Sequence, residues 1–130
     1  MKKVVILCMG ILALSGLYGT DIGELDPNML DNTGNTALMS AAARGDIVAI
    51  LALGELRGID PNIQNNDGNT ALMLAILNGN LRLVEATAAI PNTNFNLTNR
   101  EGLNAFEVAA EIGNPQIMIV VMLARDRPVF

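Results

Sequence analysis

The sequence repeats itself every 34 residues, and this period constrains the fold more than any other feature. The six residues 34–39 return unchanged as 68–73, and a third glycine in the same register is Gly102. Periods of about 20–50 residues are typical of arrays in which each unit is one supersecondary element that buries its apolar face against its neighbours. We therefore expect stacked units rather than a single globular core.

Each unit has the pattern of a turn followed by two helices, which predicts an all-α fold. Thr36 and Thr70 are expected N-caps, because a hydroxyl accepts a hydrogen bond from an unpaired N–H at a helix start. Glycines Gly45, Gly79 and Gly113 are expected to end the first helices. The predicted first helices are 37–44, 71–78 and 105–112. Second helices are expected to start near Asp46, Asn80 and Asn114, with apolar stripes at Ile47, Ile50, Leu51 and Leu53, and at Leu81, Leu83 and Val84.

These units resemble ankyrin repeats, whose pattern is Asn/Asp-x-x-Gly-x-Thr-x-Leu-x-x-Ala-x-x-x-Gly. The first unit matches it with Asp31, Gly34, Thr36, Leu38, Ala41 and Gly45. The second matches with Asn65, Gly68, Thr70, Leu72, Ala75 and Gly79, and the third with Asn99, Gly102, Phe106, Ala109 and Gly113. The resemblance implies an ankyrin-type helix-turn-helix solenoid of about three repeats that binds proteins. The proline and histidine of the family's Thr-Pro-Leu-His motif are missing from all three units. The resemblance therefore implies that this chain lacks the hydrogen bond that the histidine usually makes between repeats.

The composition excludes several kinds of chemistry. The chain has no His and a single Cys, Cys8, so neither a Cys/His zinc site nor a His-assisted nucleophile can form. A net charge of -5 argues against nucleic acid as a partner. With Gly68 at the sixth position of a calcium loop, Ile63 and Leu74 fall where the first and last ligands belong, so the turns do not fit calcium. We expect no enzyme activity, no cofactor and no metal; the helix neighbours Glu107 and Glu111 are expected to be a solvated acid pair.

The N-terminus has the layout of a secretory signal peptide. Lys2 and Lys3 precede an apolar run, 4–14, and small residues follow. We predict a signal peptide over 1–19, cleaved after Ser15 or Gly19, and export to the periplasm or the outside of the cell. The alternative is an uncleaved membrane anchor, which would be the chain's only membrane contact. The remaining domain, 20–130, is divided into units at about 31–64, 65–98 and 99–130.

The resemblance implies that a protein partner binds the turn tips and the exposed side of the first helices. The matching positions are Asn32, Thr33, Asn35, Arg44, Gln64, Asn66, Asp67, Asn69, Asn78, Arg100, Glu101, Leu103 and Glu111. Turns favour Asn and Asp for their own geometry, so a purely structural role for Asn66 and Asp67 stays open. Met39 and Met73 are expected to pack between repeats.

The last predicted helix is apolar on all sides over Ile117–Ala124. A terminal repeat needs a polar outer face, so two interpretations stay open. Either the tail, with Val129 or Phe130, folds back over the helix, or the helix docks a partner or a second copy. The second interpretation makes the chain a structural homo-oligomer, and it predicts that Val121→Glu gives a folded monomer.

Overall fold

The computed structural model describes residues 26–127, so the predicted signal peptide and the tail residues 128–130 lie outside the described residues. Within 26–127 the chain forms three consecutive pairs of helices. None of these helices combines the length and the apolar character needed to cross a bilayer. The pairs are α1 (Ala37–Arg44) with α2 (Ile47–Gly54), α3 (Ala71–Asn78) with α4 (Leu81–Ala88), and α5 (Ala105–Ile112) with α6 (Pro115–Arg125).

Capping residues set the bounds of the first helices, as predicted. The Thr36 hydroxyl accepts from the Met39 N–H at 3.2 Å, and Thr70 repeats this contact with Met73 at 3.3 Å. Each first helix ends at a glycine in the left-handed conformation, which satisfies the last carbonyls of the helix. The second helices begin after the predicted caps Asp46, Asn80 and Asn114, whose side chains accept from N–H groups of the first turn.

The helices form two layers with the core between them. First helices pack side by side, α1 on α3 and α3 on α5, and second helices do the same. Ala41, Ala75 and Ala109 are fully buried, so the small side chains let neighbouring backbones approach closely. Met39 and Met73 are also buried in the core, as expected for packing residues.

Two predictions about the second helices were wrong. Leu51 was assigned to the buried stripe but is 56% exposed. Val121 was treated as a surface position but is completely buried, so Val121→Glu would place a carboxylate in the core instead of testing self-association. Helices with apolar residues on every side give no periodic signal for the face that turns inward, so sequence reasoning could not distinguish these positions.

The turn glycines provide the first prediction. Gly68 and Gly102 hold the same turn position, with φ of +77° and +81°. A Cβ at Gly68 would lie 2.8 Å from the backbone nitrogen of Arg100 in the next unit, whereas a Cβ at Gly102 would meet nothing within 4 Å. Both alanine variants incur the left-handed strain of about 1–2 kcal/mol, but only Gly68→Ala must also push two units apart.

We expect Gly68→Ala to lower the free energy of unfolding by about 1–3 kcal/mol more than Gly102→Ala, because overpacking against backbone costs about that much. Urea denaturation of the two variants measures the difference. If both variants lose the same free energy of unfolding, the contact between the second and third turns is not tight.

Candidate protein-binding surface

One side chain closes the turn at the start of each unit. The Asn65 Oδ1 atom accepts from the backbone N–H groups of Asp67 and Asn69, both at 3.0 Å. Asp31 and Asn99 make the same pair of hydrogen bonds in the first and third units. The tip of every turn is therefore held by a residue at its base.

The same asparagines join neighbouring units. The Asn65 amide donates to Asn35 Oδ1 at 2.9 Å, and the Asn99 amide donates to Asn69 Oδ1 at 3.3 Å. These amide pairs form hydrogen-bond links between units in a chain that lacks the family's histidine. Sequence reasoning did not assign Asn65 or Asn99 this role, although both recur in register with their partners.

A second set of amides links the units on the other side of the turns. Asn28 donates to the Gly58 carbonyl at 2.8 Å and accepts from the Asp60 N–H at 2.8 Å. Asn62 makes the equivalent bonds to the Asn92 carbonyl and the Asn94 N–H. Two amide contacts at each junction thus fix the spacing of the turns.

Four of the predicted binding residues hold the array together. Asn35 and Asn69 accept the amide bonds between units. Gln64 donates to the Thr98 carbonyl at 2.7 Å, and Asn78 donates to the Ala43 carbonyl at 3.3 Å. A fifth, Leu103, packs half-buried against the core. Their side chains are engaged within the chain.

The other turn residues form a row of exposed side chains at the tips. The members are Asn32, Thr33, Asn66, Asp67, Arg100 and Glu101. The Arg100 N–H donates to the Asp67 carbonyl at 3.1 Å, which brings the second and third tips together. Thr33 donates its hydroxyl to Asp31, whereas within 26–127 the side chains of Asn66, Asp67 and Arg100 have no hydrogen-bond partner.

The first helices add a second exposed row at their C-terminal ends. Arg44 and Glu111 are exposed there, and Arg44 lies 3.9 Å from Asp46 in a solvent-accessible ion pair. Leu77 and Ile112 are exposed at the same helix ends and were missed from the sequence. They occupy the same repeat positions as Glu111 and Arg44 respectively, so comparing the three units position by position could have identified them.

Glu107 has a structural role. Its carboxylate accepts from the Asn104 N–H at 3.0 Å, while Asn104 accepts from the Glu107 N–H at 2.9 Å, which is a capping box. The spacing Asn-x-x-Glu before an apolar run is the signal that could have predicted it. Among the described residues no three Asp, Glu, Cys or His side chains come together to hold a metal ion.

Stacked helix pairs joined through polar turn tips define the class as a helical repeat array. A family model described as ankyrin repeats (3 copies) matches residues 11–86, and the chain belongs to the ankyrin repeat family. The match ends before the third unit, yet α5 and α6 repeat the caps and the left-handed glycine of the first two pairs. No curated protein matches the sequence. The three helix pairs and the family match together confirm the predicted fold class, an all-α ankyrin-type array.

Asp31 provides a prediction on pH. The Thr33 hydroxyl and the N–H groups of Asn35 and Thr33 donate to its carboxylate and hold the pKa of Asp31 below its ordinary value of 3.8. Because the folded pKa is the lower one, the unfolded chain binds more protons in acid. The resulting stabilisation is present above the ordinary pKa and is lost as the pH falls through the folded pKa.

Thr33→Val removes the largest cause of the lowered pKa, so we expect it to weaken the acid-dependent loss of thermal stability below about pH 4. Asp31→Asn should keep the turn, as Asn65 and Asn99 do, and abolish this part of the pH dependence. Thermal midpoints across the acid range measure both effects. Identical pH profiles for Thr33→Val and the wild type would contradict the assignment.

Proposed function

We propose that the chain is an exported, non-catalytic protein-binding module whose partner contacts the turn tips and the exposed ends of the first helices. The observation that carries the proposal is the division of roles within the turns. Residues such as Asn65 make the structural hydrogen bonds, and the neighbouring tip side chains stay exposed. Family membership supports it, because ankyrin repeats generally act as protein-binding modules.

The chemistry of the surface indicates what the partner presents. The tips offer amides, which donate and accept, and Leu77 and Ile112 offer a modest apolar area. Arg44 on the first unit and Arg100 on the third are the two basic groups of the surface. Arginine is enriched at protein interfaces and pairs well with carboxylates. A partner that presents carboxylates opposite Arg44 and Arg100, and basic groups opposite the acids Asp67, Glu101 and Glu111, fits this arrangement.

Export is the part of the proposal that rests on the sequence alone. Its support is the order of positive, apolar and small residues in 1–19. The location is the periplasm or the outside of the cell, with membrane anchoring by an uncleaved N-terminus as the alternative. The N-terminal residue of the protein isolated from its source, determined by mass spectrometry, distinguishes cleavage after Ser15, cleavage after Gly19 and no cleavage.

A crosslinked pull-down with tagged protein from its native compartment tests binding. We expect Arg44→Glu/Arg100→Glu to reduce recovery of the main partner about tenfold or more, because truncating or reversing anchor residues costs at least about 2 kcal/mol. The matched control is Arg57→Glu/Arg82→Glu, which makes the same charge change at exposed positions away from the tips. Equal loss in both variants would mean that overall charge, and not this surface, determines binding.

An alternative function is structural self-assembly through α6. Ile119, Met122 and Leu123 are exposed on this helix, with Ile119 at 51%, and such side chains can form an interface between copies. We expect Ile119→Glu to convert an oligomer into a folded monomer, as measured by light scattering and circular dichroism. A wild-type chain that stays monomeric at the highest concentration reached would show that this alternative is wrong.

A further inference from the structure

The linking asparagines Asn28 and Asn62 have a third counterpart one repeat later, Asn96. In all three residues the backbone N–H donates to a side-chain oxygen two positions earlier, at 2.8, 2.9 and 2.9 Å respectively. The backbone therefore forms the same turn at each of the three positions, so their side chains can be compared directly.

The side chain of Asn96 is free, whereas those of its two counterparts are fixed. Asn28 and Asn62 are half-buried, and each donates to one backbone carbonyl and accepts from one backbone N–H. Asn96 is exposed, and its side chain makes no hydrogen bond within residues 26–127. The third asparagine thus has the turn of the other two without their linking role.

The backbone of the third unit explains this difference. The carbonyls that accept from Asn28 and Asn62 belong to Gly58 and Asn92, which both have positive φ, +84° and +68°. The equivalent residue, Asp126, ends the longer helix α6 with φ of −88°. The left-handed turn that presents the carbonyl is therefore missing at Asp126. The residue two positions further on is a proline, which has no N–H to donate.

Asn96 is also the first residue of the tripeptide Asn96-Leu97-Thr98, which has the acceptor pattern for N-linked glycans. No other asparagine of the sequence has Ser or Thr two positions later. Thr98 is exposed, and among the described residues its hydroxyl has no hydrogen-bond partner, while its carbonyl accepts from Gln64. The amide and the hydroxyl of the acceptor pattern are both accessible on the folded chain.

We propose that Asn96 is the attachment site of an N-linked glycan. This inference rests on the export part of the proposed function, which brings the chain to a compartment where the donor is a lipid-pyrophosphate-linked oligosaccharide. Asn96 Nδ2 forms a bond to C1 of the first sugar, the bond between C1 and the pyrophosphate oxygen breaks, one amide proton is released, and the lipid pyrophosphate leaves. Asn96 does not belong to the row of turn tips, so the glycan occupies no position of the proposed binding surface.

The site can be tested on the folded, full-length chain with an oligosaccharyltransferase and a polyprenyl-pyrophosphate-linked oligosaccharide. Trypsin cleaves after Arg82 and Arg100, so mass spectrometry of peptide 83–100 reports on Asn96. We expect a glycan on Asn96 in the wild type and none in Thr98→Ala, which removes the hydroxyl of the acceptor pattern. A wild-type chain without a glycan on Asn96 would overturn the proposal.

Leu30→Thr provides the matched control, because it gives Asn28 the same acceptor pattern through an exposed residue. In this folded variant we expect Asn28 to be modified about tenfold less than Asn96, because its two side-chain hydrogen bonds must break first. Short synthetic peptides with the two tripeptides should be modified equally, which shows that the enzyme accepts both. Equal modification of Asn28 and Asn96 in the folded variant would contradict the proposal, because the fold would then not select the site.

The protein isolated from its source separates this inference from the proposed function. Its N-terminal residue reports on export, and peptide 83–100 reports on Asn96. A cleaved N-terminus with an unmodified Asn96 would overturn the glycan site and leave export standing. A glycan on Asn96 together with an intact N-terminus would support the site and show that the N-terminal segment is not removed.

Discussion

The structure depends on asparagine side chains that form hydrogen bonds in two directions at once. The Asn65 oxygen holds its own turn, and the Asn65 nitrogen reaches the preceding unit; Asn99 does the same one repeat later. A short helical unit cannot bury its apolar face alone, so the units must meet at a fixed spacing. The same asparagine fixes the shape of its turn and the distance to the neighbouring unit. The positions of the exposed tip side chains therefore follow from how the units pack.

The first and third described units depart from this rule. Asp31 holds its turn as Asn65 does, but a carboxylate has no N–H to donate to a preceding unit. Leu103 occupies the repeat position at which the Oδ1 atoms of Asn35 and Asn69 accept hydrogen bonds from the next unit. A leucine side chain has no acceptor, so this link has no counterpart in the third unit. In the first-helix layer, the exposed Glu107 replaces the buried Met39 and Met73. The described units therefore show pairing chemistry only at their two internal junctions.

Local signals predicted the helices, and the failures came where the answer depended on other units. Threonine and asparagine caps and left-handed glycines act within a few residues, so the bounds of α1, α3 and α5 follow from the sequence. The orientation of Leu51 and Val121 depends on packing between layers and could not be predicted from uniformly apolar helices. Likewise, the sequence could predict that the tips are exposed. It could not predict that the side chains of Gln64 and Asn78 donate hydrogen bonds to backbone carbonyls of other units.

The two sides of the array differ in how well they could bind one extended partner. On the second-helix side, Val48 and Leu51 of α2 are separated from Ile119 of α6 by the exposed Arg82 and Glu85 at the equivalent positions of α4. This polar stripe divides the exposed apolar area into two parts, which limits hydrophobic association to one part at a time. On the turn side, exposed tips follow one another across all three units, and the second and third are joined by a backbone hydrogen bond. Among residues 26–127, the turn side is therefore the side that offers continuous contact across the three units.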